Sequence, residues 1–382
     1  MIYRKIGKNR NIILFKNNYY VVDDYSKDLL SQYEKTNDIN EISKTLKIPA
    51  EVLTEDYKKI SDGIKNFEYY DNNINLSSPL KIQWKITPLC NLKCAHCYLG
   101  EPTEKPLSKE DNMKIADNII NSNVMEVTIT GGEALTVSYL DEIVNKLINN
   151  NIKVKIFTNG ILLGNFIDKI NKDYLKNITF SISVDGMKEA HEKTRGENTF
   201  NPTIEAIKKV KQLGCKVITN TVLTKLNYKD VGILFKLLSD MNIDYIQFSN
   251  LIVKGRATND LEIGKSEQEY IISELKKYAS NTKTKLYYAK LPDEENQVLN
   301  LSSNEFLGEN TWKCSAGVGK GTIGFDGNMY CCPFIKNSCI GNVVDKKIKD
   351  VWKNNSRYEF LKRLAINNKN HLTCSVRHEG EF

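Results

Sequence analysis

Cys90, Cys94 and Cys97 stand at C-x3-C-x2-C spacing directly after the apolar-alternating run Gln83 to Ile86. Thiolates this close in sequence wrap one metal centre, and soft sulfur ligands select zinc or an iron–sulfur cluster. A structural zinc site or an ordinary cluster takes four protein ligands, and no fourth cysteine lies nearby. Two readings stay open on these residues alone. One is zinc with a remote fourth ligand, or chance clustering. The other is a cluster with one metal position left for a group that is not protein.

The chain has nine cysteines, and five of the other six, Cys314, Cys331, Cys332, Cys339 and Cys374, gather near its end. The N-terminus, Met1-Ile2-Tyr3-Arg4-Lys5, lacks the apolar core of a signal peptide, and no later run reaches spanning length. A cytoplasmic protein with no membrane partner is expected. In that compartment an odd number of cysteines reads as metal or redox ligands before disulfides. A net charge of +7 is spread along a Lys- and Asn-rich sequence with no basic, aromatic-interleaved stripe, so no nucleic-acid partner is expected. At 382 residues the chain has room for two or three domains.

The cysteines need a scaffold. From residue 81 to about 290, strand-like runs alternate with helical periods, which argues for βα units around a parallel sheet. The runs are Lys81 to Ile86, Glu126 to Thr130, Lys153 to Thr158, Ile178 to Ser183, Lys216 to Val222 and Tyr245 to Ser249. Helical patterns fall at Ser108 to Asn121, Ser138 to Asn150, Pro202 to Leu213 and Asp230 to Met241. In such folds chemistry gathers at the C-terminal ends of the strands. There the first run is followed by the cysteine loop, the second by Gly131-Gly132-Glu133, the third by Asn159-Gly160, and the fourth by Asp185-Gly186 and His191 to Gly196.

The cysteine loop with its neighbour Tyr98 resembles the signature of the radical S-adenosylmethionine (radical SAM) enzymes. The Thr130-Gly131-Gly132-Glu133, Thr158-Asn159-Gly160 and Ser183-Val184-Asp185-Gly186…His191…Arg195-Gly196 segments resemble further motifs of the same family. The resemblance implies an α/β fold with a partial (β/α)6 TIM-like barrel over residues 81–290. It also implies that Cys90, Cys94 and Cys97 hold three irons of a [4Fe-4S] cluster while the fourth iron chelates SAM. Tyr98, Gly131, Gly132, Glu133, Asn159, Ser183 and Arg195 are the implied SAM contacts, with Glu133 toward the ammonium and Arg195 toward the carboxylate. A planar guanidinium suits that carboxylate. Asp185 reads as a turn cap, His191 as a structural helix-start residue, and Cys215 as a core thiol. Lys254-Gly255-Arg256-Ala257 resembles a segment of relatives with auxiliary clusters and reads equally as loop structure or as a substrate-orienting element.

Residues 1–70 form a separate module in this reading. Two short strands, Asn11 to Phe15 and Tyr19 to Val22, precede helices at Tyr25 to Lys35, Asn40 to Leu46 and Pro49 to about Phe67, and residues 71–80 form a linker. This is a winged-helix pattern. It resembles the peptide-recognition domains that hold leader sequences of ribosomally made peptides, where an exposed strand edge accepts an extended peptide.

Residues 291–382 form a small C-terminal iron–sulfur domain in the same reading. Cys314, Gly327 and Cys332 resemble the first half of the SPASM, or shorter twitch, domain, with a hairpin at Asp326-Gly327-Asn328. Arg377 replaces a cysteine of the full pattern, so one auxiliary cluster is expected. Its ligands are Cys314, Cys332, Cys374 and Cys339, with Cys331 the alternative fourth.

The expected activity is closure of a thioether in a precursor peptide bound through its leader, with a flavodoxin- or ferredoxin-type protein as electron donor. Alternatives are a carbon–carbon crosslink, formylglycine formation, or, from another class, a redox-sensing DNA-binding regulator.

Overall fold

The computed structural model describes residues 2–7, 10–15, 18–63, 76–279, 284–288, 299–300, 305–306 and 316–367. β1 (Ile2–Gly7), β2 (Arg10–Phe15) and β3 (Asn18–Val22) make an antiparallel sheet in that order. Three helices follow, α1 (Asp24–Lys35), α2 (Ile39–Leu46) and α3 (Ala50–Gly63). The sheet has one strand more than the two read from sequence. Arg4 and Lys5 interrupt any apolar alternation in β1, which suits an edge strand. Asp23 and Asp38 cap α1 and α2 by accepting from the amides of Ser26 and Asn40. Ile13, Val22 and Leu30 form one small core and Leu29, Ile42 and Leu53 another; Tyr57 and Ile60 of α3 pack against both. Residues 64–67, expected to continue α3, and residues 71–75 of the linker lie outside the described residues.

Six parallel strands carry the centre of the molecule: β4 (Lys81–Thr87), β5 (Glu126–Gly131), β6 (Lys153–Thr158), β7 (Ile178–Ser183), β8 (Lys216–Leu223) and β9 (Tyr245–Asn250). They are hydrogen-bonded in sequence order. Between them run α4 (Lys109–Asn121), α5 (Leu140–Asn149), α6 (Leu163–Lys169), α7 (Lys188–Arg195), α8 (Phe200–Gln212) and α9 (Val231–Asp240). The sheet is an open partial barrel. α10 (Lys265–Ala279) leads to a seventh parallel strand, β10 (Lys285–Tyr288), on the edge of β9. Its four residues are too few to stand out as an alternating run.

Burial alternates along these strands. Ile82, Trp84, Val127, Ile129, Val154 and Ile156 are buried in the main core against the helices. Their neighbours Gln83, Lys85, Thr128, Lys155, Asn220 and Gln247 turn to the other face and stay partly exposed. A parallel sheet covered by helices on both faces would be apolar on both; this one keeps a polar concave face.

β11 (Leu299–Asn300) and β12 (Glu305–Phe306) pair only with each other. The remaining strands do not form a sheet of their own. β13 (Lys320–Ile323) lies parallel to β4, from Lys320 opposite Lys81 to Ile323 opposite Trp84, and β14 (Asn328–Tyr330) and β15 (Cys339–Asn342) add antiparallel strands beyond it. The ten-stranded sheet therefore runs unbroken from β10 to β15. The physical reason is the edge of β4, which β13 covers. The turn between β13 and β14 is the expected one: Gly327 takes φ of 76° and Asp326 accepts from the Asn328 amide at 3.0 Å. α11 (Ile348–Trp352) and α12 (Asn355–Asn367) close this end, with Trp352 fully buried.

Asn118 of α4 pins the C-terminal part to the barrel. Its amide donates to the carbonyls of Val343 and Lys346 at 3.0 and 2.6 Å, and its oxygen accepts from the Ile348 amide at 2.9 Å. Asn118→Ala is expected to lower the free energy of unfolding by about 2 kcal/mol, read as a shift in the urea midpoint with an unchanged slope.

Candidate metal and cofactor site

The cysteine loop has no regular secondary structure, and its shape comes from its neighbours. Within it the Cys97 and Gly100 amides donate to the Cys94 and Cys97 carbonyls. On one side the Ala95 amide donates to the Thr194 carbonyl of α7 at 2.8 Å. On the other, the Arg256 side chain donates to the carbonyls of Cys94 and Gly100, both at 3.0 Å, and its amide donates to the Cys97 carbonyl at 2.9 Å. Gly255, at φ of 68°, lies so close that an added Cβ would sit 2.5 Å from the Cys97 carbonyl oxygen. The Gly255-Arg256 segment is therefore a strap over the cysteine loop, a role the sequence left undecided between loop structure and substrate orientation.

Cys90 is exposed, Cys97 intermediate and Cys94 buried. Burial pushes the Cys90 thiol up, and pushes Cys94 to about 11. Thiols in such a setting become thiolates when a metal takes the proton's place. No group of three or more His, Cys, Asp or Glu side chains among the described residues is placed to hold a single ion. Three thiols that each bond a different iron need not converge on one point.

The second strand end meets this loop through backbone. The Gly132 amide donates to the Thr87 carbonyl and the Glu133 amide to the Leu89 carbonyl, both at 2.8 Å. A Cβ on Gly131 would lie 2.3 Å from the Thr87 oxygen, and one on Gly132 equally close to the Leu89 oxygen. Both positions thus require glycine. The Glu133 carboxylate is buried and accepts from the amides of Leu135 at 3.0 Å and Asn159 at 2.7 Å. Burial raises its pKa against the pull of those amides. Asn159 in turn donates from its side chain to Asn91 inside the cysteine loop at 2.8 Å. So Glu133 and Asn159 already share hydrogen bonds that tie three strand ends together.

Asp185 does more than cap a turn. Fully buried at the end of β7, it accepts from Arg195 Nε at 2.6 Å and His96 Nε2 at 3.1 Å on one oxygen, and from the Val222 amide at 2.8 Å on the other. Burial opposes its charge, but the Arg195 guanidinium and His96 hold the carboxyl well below the usual carboxylate range. Arg195 Nη1 faces the Cys94 sulfur at 3.9 Å. His191 lies within α7 rather than at its start and accepts from the Asp185 amide through Nδ1 at 3.1 Å; burial lowers its pKa to about 4, a neutral structural histidine. Ser183 ends β7, partly exposed. Asp185, His96 and Arg256 escaped the reading as partners, although a histidine inside the cysteine motif itself was a visible signal.

Tyr98 packs edge-on against Phe334, their centroids 5.5 Å apart, and burial pushes its phenol up to about 12. Lys85, on the concave face, donates to the Pro333 carbonyl at 2.9 Å and lies 5.6 Å from the Tyr98 ring. It thereby bridges the cysteine loop and the Cys331-Cys332 turn. Cys331 and Cys332 are buried and Cys339 is exposed, opposite Tyr330 in the hairpin. Cys314 and Cys374 lie outside the described residues. Cys215 is buried in the main core, as expected.

The donor set fits an iron–sulfur cluster. It offers three soft sulfur ligands on one loop, a fixed guanidinium beside Cys94, and His96 Nδ1 buried with no hydrogen-bond partner among the described residues. Residues 84–238 match the model of the radical SAM superfamily, and residues 314–376 match that of an iron–sulfur cluster-binding domain, SPASM. The chain is 27% identical over 296 residues to the Fe-coproporphyrin III synthase of Methanosarcina barkeri, which spans 71% of this chain and 73% of that protein. It is 27% identical over 185 residues to the sporulation killing factor maturation protein SkfB of Bacillus subtilis, spanning 47% of this chain and 44% of SkfB. Among solved structures, Streptococcus suis SuiB bound to the precursor peptide SuiA has the same fold, with a TM-score of 0.64 at 19% identity over 94% of this chain and 89% of that one.

Gly255→Ala forces a side chain into the Cys97 carbonyl at a left-handed backbone position. Strain of this kind costs about 1–3 kcal/mol. After anaerobic reconstitution the variant is expected to retain clearly less iron per chain than the parent, measured by colorimetric iron assay.

Proposed function

We propose that this chain, a radical SAM enzyme with a [4Fe-4S] cluster, SAM and auxiliary iron–sulfur chemistry as its cofactors, joins a cysteine sulfur to a carbon atom within a ribosomally made precursor peptide. When bound, the cluster and SAM supply a 5′-deoxyadenosyl radical able to remove a hydrogen from an unactivated carbon. Cys90, Cys94 and Cys97 hold the cluster. Gly131, Gly132 and Glu133 form the cradle for the SAM ammonium, Arg195 takes its carboxylate, and Asn159 and Ser183 face the ribose side, with Tyr98 packed behind. The close backbone approach of Gly131 and Gly132 to the Thr87 and Leu89 carbonyls leaves no room for a side chain at either position. Glu133 keeps acceptor capacity for an ammonium, since its two oxygens offer four lone pairs and meet the Leu135 and Asn159 amides and the Thr158 side chain.

One observation carries the peptide reading. The cysteine loop follows β4 and the Cys331-Cys332 turn follows β14, two strands away in the same sheet with β13 between them, and Lys85 bridges the two at the edge of a polar concave face. A substrate on that face would lie beside the Cys90, Cys94 and Cys97 cluster; Cys314, Cys332, Cys374 and Cys339 would hold the auxiliary cluster. The net change, C–H plus S–H to C–S with two protons and two electrons released, needs both. One electron leaves with the abstracted hydrogen atom, and an auxiliary cluster held by the C-terminal cysteines would supply an acceptor for the other. SuiB, whose fold this chain shares, is solved with a precursor peptide, and SkfB is a maturation protein, which supports a peptide substrate.

The N-terminal module holds the leader of that peptide along an open edge of its three-stranded sheet. The electron source is a flavodoxin- or ferredoxin-type protein. No helix among the described residues is long and apolar enough to cross a membrane, and a cytoplasmic reaction is part of the proposal. The regulator alternative is set aside, because the radical SAM relatives are enzymes, including one named as a synthase.

Anaerobic reaction with the small peptide encoded beside the gene tests the proposal by mass spectrometry. The thioether requires loss of two hydrogens together with disappearance of one alkylatable thiol; loss of two hydrogens with every thiol retained points instead to a carbon–carbon bond, and an unchanged mass excludes crosslinking altogether. In a second test, alanine at Cys90, Cys94 and Cys97 together is expected to abolish 5′-deoxyadenosine production. Continued production would overturn the cluster assignment.

A further inference from the structure

Asp185 has no free role toward a ligand. One carboxylate oxygen accepts from the Val222 amide, and the other accepts from Arg195 Nε and His96 Nε2, all within 3.1 Å. The side chain is fully buried, so its acceptors face protein donors on every side. Yet those donors belong to the parts that must be brought together. Arg195 ends α7 and turns Nη1 toward the Cys94 sulfur. His96 lies inside the cysteine motif, between Cys94 and Cys97. Val222 belongs to β8.

We propose that Asp185 is a positioning residue that latches the cysteine loop, through His96, to the arginine of the SAM site. This rests on the reading of Arg195 as the partner of the SAM carboxylate. A guanidinium is a rigid planar fork, so fixing Nε fixes the direction in which the two Nη groups present their hydrogens. The same carboxylate oxygen fixes the imidazole of the loop. The separation between the arginine fork and the cluster ligand Cys94 is thus set by one shared acceptor. Side chains contacting SAM would be correctly placed only while that acceptor is anionic and complete.

The isosteric amide makes the test. Asp185→Asn keeps the shape but has one acceptor oxygen for three donors, and its NH2 group must face either the Val222 amide or the Arg195 and His96 pair. Either orientation sets donor against donor. After anaerobic reconstitution, the variant is expected to hold as much iron as the parent, because all three cysteines remain and the hydrogen bonds that hold the loop backbone, from Gly132, Glu133 and Arg256 and to Thr194, do not involve Asp185. Its affinity for SAM, measured by equilibrium dialysis, is expected to fall roughly thirtyfold, the scale of a lost charge-assisted hydrogen bond. The change that SAM produces in the electron paramagnetic resonance spectrum of the reduced cluster is expected to disappear at concentrations that saturate the parent.

Affinity within threefold of the parent and an unaltered SAM-induced spectrum would overturn the latch. Arg195→Ala separates the two layers of the argument. If it weakens SAM binding while Asp185→Asn does not, only the latch fails; if it leaves SAM binding intact, the reading of the SAM site fails and takes the latch with it. Should Asp185→Asn not fold, His96 decides. His96→Phe removes the donor to Asp185 and is expected to weaken SAM binding about tenfold, whereas His96→Gln, which retains an N–H, recovers most of that loss. Equal affinities for the two histidine variants would overturn the proposal.

Discussion

A loop that carries three thiols and little internal hydrogen bonding keeps its shape only if other parts of the chain take up its backbone polar atoms. Here they do so from three directions. Amides of Gly132 and Glu133 reach the carbonyls of Thr87 and Leu89, just before Cys90; the Thr194 carbonyl takes the Ala95 amide; and Arg256 spans the carbonyls of Cys94, Cys97 and Gly100. Each contact is a single hydrogen bond of modest net value, but leaving a buried one unmade costs more than making it gains. The strand ends that supply them are therefore constrained by the loop as much as the loop is by them.

Electrostatics works in the same direction. A carboxylate, a guanidinium and an imidazole share the buried space beside Cys94. Buried ion pairs contribute little net stability because desolvation offsets attraction, while removing one member leaves a stranded charge and costs several kcal/mol, roughly 3–5 in measured cases. Such a network is better understood as fixing geometry than as adding stability. That fits its place between the cysteine loop and the strand ends that carry Glu133 and Arg195, the proposed SAM site.

The six barrel strands were legible to within about a residue, because apolar and polar positions alternate along them with period two. The cysteines and the glycine-bearing strand ends were legible as chemistry for the same local reason. What escaped the sequence acts at a distance. Arg256 lies far along the chain from the carbonyls it holds, Asp185 looked like an ordinary turn residue before Gly186, and β1 hides behind Arg4 and Lys5. Likewise the affiliation of β13 with β4 has no local signature, since a four-residue strand names no partner. The C-terminal part reads as a separate domain and residues 314–376 match the SPASM model, while its strands β13 to β15 continue the barrel sheet, a continuity the sequence does not announce.

That pairing bears on how the molecule is made. β4 precedes the cysteine loop, and one of its two edges is covered by residues about 240 positions later in the chain. Domains fold from the N-terminus as the ribosome releases them, so most of the barrel can assemble while this edge waits. Exposed strand edges invite pairing with other chains. The strand that leads into the cysteine loop is thus flanked on both sides only after β13 has been made, and until then Lys81 and Lys85 put charge on the concave face of a strand still open to a partner.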